Sequence, residues 1–129
     1  MTAGDMRHFT ISPTQGARFF DGACEAMRAV GPGEFMLGPG DLDPPDAVRS
    51  VIDQYLGTNY LWYPVAGNHE LEQTNTMHWL RSWARAGIPH LVRRGPDGAE
   101  FSTYSFDYGN SHFIALNLHV LKSTSSVVE

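Results

Sequence analysis

The sequence predicts an α/β fold in a single domain spanning residues 1–129. Up to Gly87, segments with helical spacing of apolar residues alternate with short apolar runs, a pattern typical of parallel strands joined by helical crossovers. After Pro89 the pattern changes to two extended segments separated by a turn, which predicts a C-terminal β-hairpin. The chain is 42% hydrophobic and 18% charged, a composition that favours a folded core over disorder.

Three helices are predicted from the apolar spacing, and each ends at a glycine: Gly31, Gly57 and Gly87. The second helix is expected to begin near Asp46, after two prolines, and the third near Asn75. The predicted buried faces are Phe20, Ala23, Cys24 and Met27 in the first helix, Val48, Val51, Ile52 and Tyr55 in the second, and Trp79, Leu80, Trp83 and Ala84 in the third.

Four strands are predicted from short apolar runs between turn residues. The first covers residues 34–38 and the second residues 61–66, where Pro64 is tolerated only if its missing donor faces away from the ladder. The hairpin strands are predicted at residues 101–107 and 112–118.

Charge and cysteine content exclude several classes of protein. With 14 acidic and 9 basic residues the net charge is −5, and the basic residues are scattered apart from the pair Arg93 and Arg94, so we expect no nucleic-acid partner. Cys24 is the single cysteine, which excludes an intrachain disulfide and leaves the redox compartment open.

The longest apolar run, residues 113–116, is too short for a membrane span, and the first residues lack a signal-peptide pattern. We therefore predict a soluble protein with no membrane partner, and the sequence does not indicate a compartment.

The first two predicted strands each run into a glycine followed by an oxygen-bearing side chain. The first strand leads to Gly40 and Asp41, and the second leads to Gly67, Asn68 and His69. Because the carboxyl ends of parallel strands lie at one edge of a sheet, we expect Asp41, Asn68 and His69 to converge. Carboxylate, amide and imidazole groups suit a hard or borderline divalent cation.

Two simpler interpretations of these loops remain open. Asp41 and Asp43 lie beside prolines and also suit turn or cap positions, and Gly67-Asn68 is also an ordinary turn pair. A calcium-binding role for residues 41–43 is disfavoured, because the loop lacks the closely spaced oxygen ligands of known calcium loops.

At these residues the chain resembles the calcineurin-like metallophosphoesterase family. The resemblance rests on Gly40-Asp41 and on the tetrapeptide Gly67-Asn68-His69-Glu70. Residues 104–117 are also similar to the hairpin that follows this loop in the family, so the resemblance covers nearly the whole chain. It implies a partial metallophosphoesterase-like sandwich, corresponding to the N-terminal part of the family's domain.

The resemblance implies a role for each loop residue. Asp41 would bridge two divalent metal ions, and Asn68 would bind the second ion through its side-chain oxygen. His69 would assist the departing oxygen rather than bind metal, and Glu70 would orient the loop. The implied reaction is hydrolysis of a phosphate ester through a metal-bound hydroxide, with Mn, Fe, Zn or Mg as the ions.

Other motifs of the family are absent from this sequence. Its first motif, an Asp, one residue and a His, is matched best by Asp5-Met6-Arg7, so Asp5 is the third predicted metal ligand, and its strand would precede residue 1. Residues 12–15 are an alternative placement, in which the Asp is lost. The closing Gly-His-x-His is missing, and His119 is the nearest match to the family's lone histidine, although a solvated histidine is the favoured interpretation.

Two functions from different classes follow from these observations. The first is an enzyme that hydrolyses phosphate esters with divalent metal ions. The second is a truncated or degenerate module without activity of its own, which binds partners or forms a homo-oligomer through unpaired sheet edges.

Overall fold

The computed structural model describes residues 1–4, 15–42 and 44–118, with the side chains of the first helix given from Phe19 onward. A short 3₁₀ turn at Glu70–Glu72 precedes the third helix. The elements in chain order are α1 (Gln15–Val30), β1 (Phe35–Gly38), α2 (Pro45–Leu56), β2 (Leu61–Pro64), α3 (Thr74–Ala86), β3 (Leu91–Arg94), β4 (Tyr104–Tyr108) and β5 (Ser111–Ala115).

The strands β1 and β2 form a parallel pair joined by the crossover helix α2, as the alternating pattern predicted. The register pairs Phe35 with Leu61 and Gly38 with Pro64. Strand β2 ends at Pro64 rather than at residue 66, so the predicted strand was too long. The next residue still joins the two strands, because the Val65 amide donates to the Gly38 carbonyl at 2.7 Å.

The N-terminal residues lie along the other edge of β1. Thr2 forms a parallel bridge with Leu37, whose carbonyl accepts from the Ala3 amide at 3.0 Å. The Leu37 amide donates to the Met1 carbonyl at 2.8 Å. Residues 1–3 therefore lie beside β1 at the edge away from β2, although the expected strand before Asp5 is represented there by one bridge only.

Alternate residues of the parallel pair face two different layers, as the period of two in a β-strand requires. Met36 and Trp62 pack into the cluster formed with α1 and α2. Phe35 and Tyr63 pack against the antiparallel strands, where the Tyr63 ring stacks on Phe106 with centroids 3.6 Å apart. The parallel pair is thus covered by helices on one face and by aromatic side chains of β4 and β5 on the other.

The predicted C-terminal hairpin is confirmed, because β4 and β5 pair antiparallel from Tyr104 with Ala115 to Tyr108 with Ser111. A third strand, β3, pairs with the other edge of β4 and extends the hairpin to a three-stranded sheet in the order β3-β4-β5. Strand β3 was missed, and its pairing with β4 is irregular between Leu91 and Arg93. Strand β4 begins at Tyr104, later than the predicted residue 101. Strand β5 ends at Ala115, so the prediction that it reaches residue 118 was wrong.

The buried helix faces agree with the predicted spacing in most positions. Phe20 and Cys24 of α1 are buried, but Ala23 is exposed. Within α3, Leu80 and Ala84 are buried. None of the helices in the described ranges has the length and apolar character needed to cross a bilayer.

Candidate functional site

A cavity of about 520 Å³ lies at the carboxyl ends of β1 and β2, and both Asp41 and Asn68 line it. The two loops therefore meet at one edge, which is the position that the parallel topology requires. The other lining residues are Gly4, Pro39, Gly40, Val65, Ala66, Gly67, Leu116 and Leu118. Neither Gly4 nor the two leucines was a sequence-predicted site residue.

The backbones of the two loops are in direct contact. A Cβ atom on Gly40 would lie 2.8 Å from the Gly67 Cα, closer than Cβ atoms approach other heavy atoms in proteins. Gly40 has a φ of +112° and Asp41 a φ of +55°, a left-handed conformation that aspartate tolerates better than most residues. Glycine at both facing positions is therefore what allows Asp41 to approach Asn68.

Glu70 connects the two loops through hydrogen bonds to their backbone amides. Its side chain is fully buried, and one carboxylate oxygen accepts from the Asp41 amide at 2.9 Å and from the Gly67 amide at 2.6 Å. The other oxygen accepts from the Leu42 amide. A buried carboxylate needs such donors to offset its desolvation. The sequence pointed to a role for Glu70 in orienting its own loop, whereas its hydrogen bonds also hold the Gly40-Asp41 loop.

His69 lies next to Asp41 and outside the set of residues that line the cavity. Its backbone amide donates to Asp41 Oδ1 at 3.3 Å, and its ring Nε2 is 3.9 Å from Asp41 Oδ2. The ring Nδ1 is 2.8 Å from Glu72 Oε2, which fixes the orientation of the imidazole. Sequence reasoning missed Glu72, although its spacing of three residues from His69 is the signal that could have identified it.

The end of β2 is supported by a buried tyrosine. The Tyr104 hydroxyl donates to the Pro64 carbonyl at 2.8 Å, and the next residue, Val65, lines the cavity. Burial, with a smaller contribution from Tyr63, raises the pKa of Tyr104 well above its ordinary value of 10.0. Burial likewise raises the pKa of Tyr63 to about 12. Both phenols therefore stay protonated and act as packing and hydrogen-bonding groups.

The donor types fit a divalent metal ion, but the described donors are few. Asp41 and Asn68 supply a carboxylate and an amide, and Mg²⁺ or a similar hard ion binds through one or two carboxylates while it keeps several waters. Within the described ranges no group of three or more His, Cys, Asp or Glu side chains is placed to hold a metal. The predicted ligand Asp5, the alternative at residues 12–14, Asp43 and His119 lie outside the described residues.

Comparison of the chain with protein-family models, with curated proteins and with solved structures gave no match.

Proposed function

We propose that the cavity at the ends of β1 and β2 is the site of a metal-dependent phosphoesterase. The observation that carries this proposal is that Asp41 and Asn68, which are distant in sequence, line one cavity. Parallel strands with a helical crossover, backed by a second sheet, support a metallophosphoesterase-like sandwich as the architecture. The substrate is a phosphate ester.

Asp41 and Asn68 would hold a divalent metal ion through their side-chain oxygens. A bound ion supplies Lewis-acid chemistry, since it withdraws charge from phosphoryl oxygens and lowers the pKa of water. Glu70 keeps the two ligand loops at a fixed spacing through its three backbone hydrogen bonds. The chain's own contribution is thus a pair of loops whose backbones are held together beneath the two oxygen donors.

His69 would protonate the departing oxygen of the ester. Its Nδ1 is held by Glu72, so Nε2 is the ring nitrogen on the side of Asp41 and is the atom that would hold or move the proton. An imidazole is suited to this role near neutral pH.

Asp5 is the third ligand in this proposal. Gly4 lines the same cavity and immediately precedes it, just as Gly40 precedes Asp41. The segment before Gly4 also runs parallel to β1, as β2 does on the other side. A second metal ion, as in the family site that the chain resembles, would need this ligand and others.

The test is hydrolysis of para-nitrophenyl phosphate by the purified chain with Mn²⁺, Mg²⁺, Zn²⁺ or Fe²⁺, with and without a chelator. Asp41→Asn is the decisive variant, because asparagine also tolerates a left-handed backbone and removes the charge alone. We expect it to lower metal affinity and turnover at least about tenfold, since even loss of a group behind a ligand has that effect. Asp46→Asn, at an exposed position in the first turn of α2, is the matched control. Absence of turnover with all four metals would refute the enzyme proposal for this chain.

A second candidate is a module without activity of its own, and the small donor set favours it. The described residues that line the cavity supply one carboxylate and one amide, and in the described ranges no larger cluster of acidic, histidine or cysteine side chains is placed for a metal. Ile114 is 64% exposed on β5, which pairs only with β4 among the described strands. An apolar edge strand favours pairing with another chain. Light scattering that gives a monomer at high concentration would argue against self-association.

A further inference from the structure

The cavity that contains Asp41 and Asn68 is also lined by apolar side chains, which we call its apolar wall. Val65 forms part of the apolar wall, together with Leu116 and Leu118 from the segment that follows β5. Leu116 is 54% exposed and Leu118 is 72% exposed. Two leucines thus present uncovered apolar surface directly beside the proposed metal and phosphate ligands.

The alternation of side chains explains why both leucines face outward. Asn117 is buried between them in sequence, and the residues on either side of it therefore point the opposite way. Ile114 continues the same outward row but does not line the cavity. Leu116 and Leu118 of this outward-facing row therefore lie in the proposed site, whereas Ile114 lies outside it.

The charge of the cavity limits what it can bind. Asp41 is the one charged residue among the described residues that line it, and no lysine or arginine is among them. A single phosphoryl group can be neutralised by a divalent ion, but additional phosphates would lack cationic partners in this wall. Proteins that bind several phosphates usually provide lysine or arginine for this purpose. The described lining residues therefore offer no cationic partner for the further phosphates of a polyphosphate, a nucleoside diphosphate or a nucleic acid.

We propose that this site takes phosphate esters whose organic group is apolar and carries no further charge, with that group seated on Leu116 and Leu118. The inference rests on the proposed function, because it assumes that the phosphoryl group binds at Asp41 and Asn68. It adds the class of substrate, for which the family resemblance gave no indication.

The expected selectivity follows from the hydrophobic effect. A fully buried methylene strengthens binding about fourfold, and one that is covered on one side only strengthens it about twofold. We therefore expect affinity to rise about two- to fourfold with each methylene from methyl to butyl phosphate. Glycerol phosphate, which has a similar length but two hydroxyl groups, should bind no better than methyl phosphate.

The experiment is isothermal titration calorimetry of the full chain in Mn²⁺ with inorganic phosphate, methyl phosphate, butyl phosphate, glycerol phosphate and pyrophosphate. Leu116→Ser and Leu118→Ser should each reduce the preference for butyl over methyl phosphate at least about twofold. Ile114→Ser is the matched control, because it removes an exposed apolar side chain of the same row outside the cavity. All three positions are exposed, so the variants should fold.

Each outcome separates this inference from the proposed function on which it rests. If inorganic phosphate does not bind in Mn²⁺, both are overturned. If phosphate binds but butyl and methyl phosphate bind equally, the inference alone is overturned. The same holds if pyrophosphate binds more tightly than butyl phosphate, or if the leucine variants change the oligomeric state and leave ligand preference unaltered. A preference for butyl phosphate that both leucine variants weaken and Ile114→Ser retains supports the inference.

Discussion

Replacing Glu70 by glutamine would test whether this buried carboxylate holds the two loops together. The carboxylate accepts three backbone hydrogen bonds, from Asp41, Leu42 and Gly67. Glutamine has nearly the same shape but only one oxygen, so its amide group must face at least one backbone donor. Hydrogen bonds to a charged acceptor contribute about 1.5–3 kcal/mol each. Losing one of them and weakening the other two should lower the free energy of unfolding by about 2–4 kcal/mol.

Urea denaturation followed by tryptophan fluorescence measures this change, because the chain has 3 tryptophans and Trp62 is buried. With a slope of about 2 kcal/mol per molar urea, in the middle of the usual range for small proteins, the midpoint should fall by about 1–2 M. In the same samples Mn²⁺ affinity should drop about 10- to 100-fold, since Glu70 positions the Asp41 loop. Glu25→Gln, an isosteric change on the exposed face of α1, should alter stability by less than about 0.5 kcal/mol. A midpoint for Glu70→Gln equal to that of this control would refute the reasoning.

Three further predictions concern the packing around the site and in the core. Gly67→Ala would place a methyl group 2.7 Å from a backbone nitrogen of the facing loop, so it should destabilise the fold by about 1–3 kcal/mol. Gly22→Ala is the control, because its methyl group would meet open space in α1, and it should stabilise the fold by about 0.5–1 kcal/mol. Thermal unfolding compares the two variants, and equal shifts would contradict the steric argument. Tyr104→Phe leaves the buried Pro64 carbonyl without its donor and should cost about 1–3 kcal/mol at pH 8 in urea denaturation. Because the pKa of Tyr104 is raised in the folded state, its contribution to stability is present below pH 10.0 and is lost at higher pH. The Tyr104→Phe variant should therefore lose less stability than the wild type between pH 10 and 12. Parallel plots of unfolding free energy against pH for the two proteins would count against this. Burial, with a smaller contribution from a nearby carboxylate, raises the pKa of Cys24 from 9.0 to about 11. A thiol reagent at pH 8 should therefore react at least about 100-fold more slowly with the native chain than with the chain unfolded in urea. Similar rates would show that the thiol is accessible in the native chain.

The parallel core could be predicted because its signals are local. Short apolar runs, prolines before α2 and glycines after the helices fix where β1, α2 and β2 begin and end to within a few residues. Because the helical crossover makes the two strands parallel, their carboxyl ends lie at one edge of the sheet. For the same reason the convergence of Asp41 and Asn68 on one cavity follows from the order of elements.

Strand β3 could not be predicted, because its sequence carries neither of the usual strand patterns. Leu91–Arg94 ends in two arginines, and the irregular register with β4 breaks the alternation of buried and exposed residues. The bridge at Thr2 is a single pair and has no periodicity at all. Both depend on the partner strand that they meet, which is tertiary information.

The end of β5 shows a different limit of sequence reasoning. Leu116 and Leu118 are apolar and continue the alternation of the strand, so the sequence predicted that pairing would extend through residue 118. In the structure the pairing with β4 stops at Ala115, and the two leucines line the cavity instead. Apolar character indicates what a side chain prefers to contact, and it does not distinguish a neighbouring strand from the lining of a cavity.

The contact between Gly40 and Gly67 also makes this site suitable for protein engineering. Since the loops touch through backbone atoms, exchanging a neighbouring side chain should leave their separation unaltered. An acidic or histidine residue introduced at Leu118 would enter the same cavity and could complete a coordination sphere. The two touching loops therefore offer a place where the proposed ion site can be strengthened stepwise, one donor at a time.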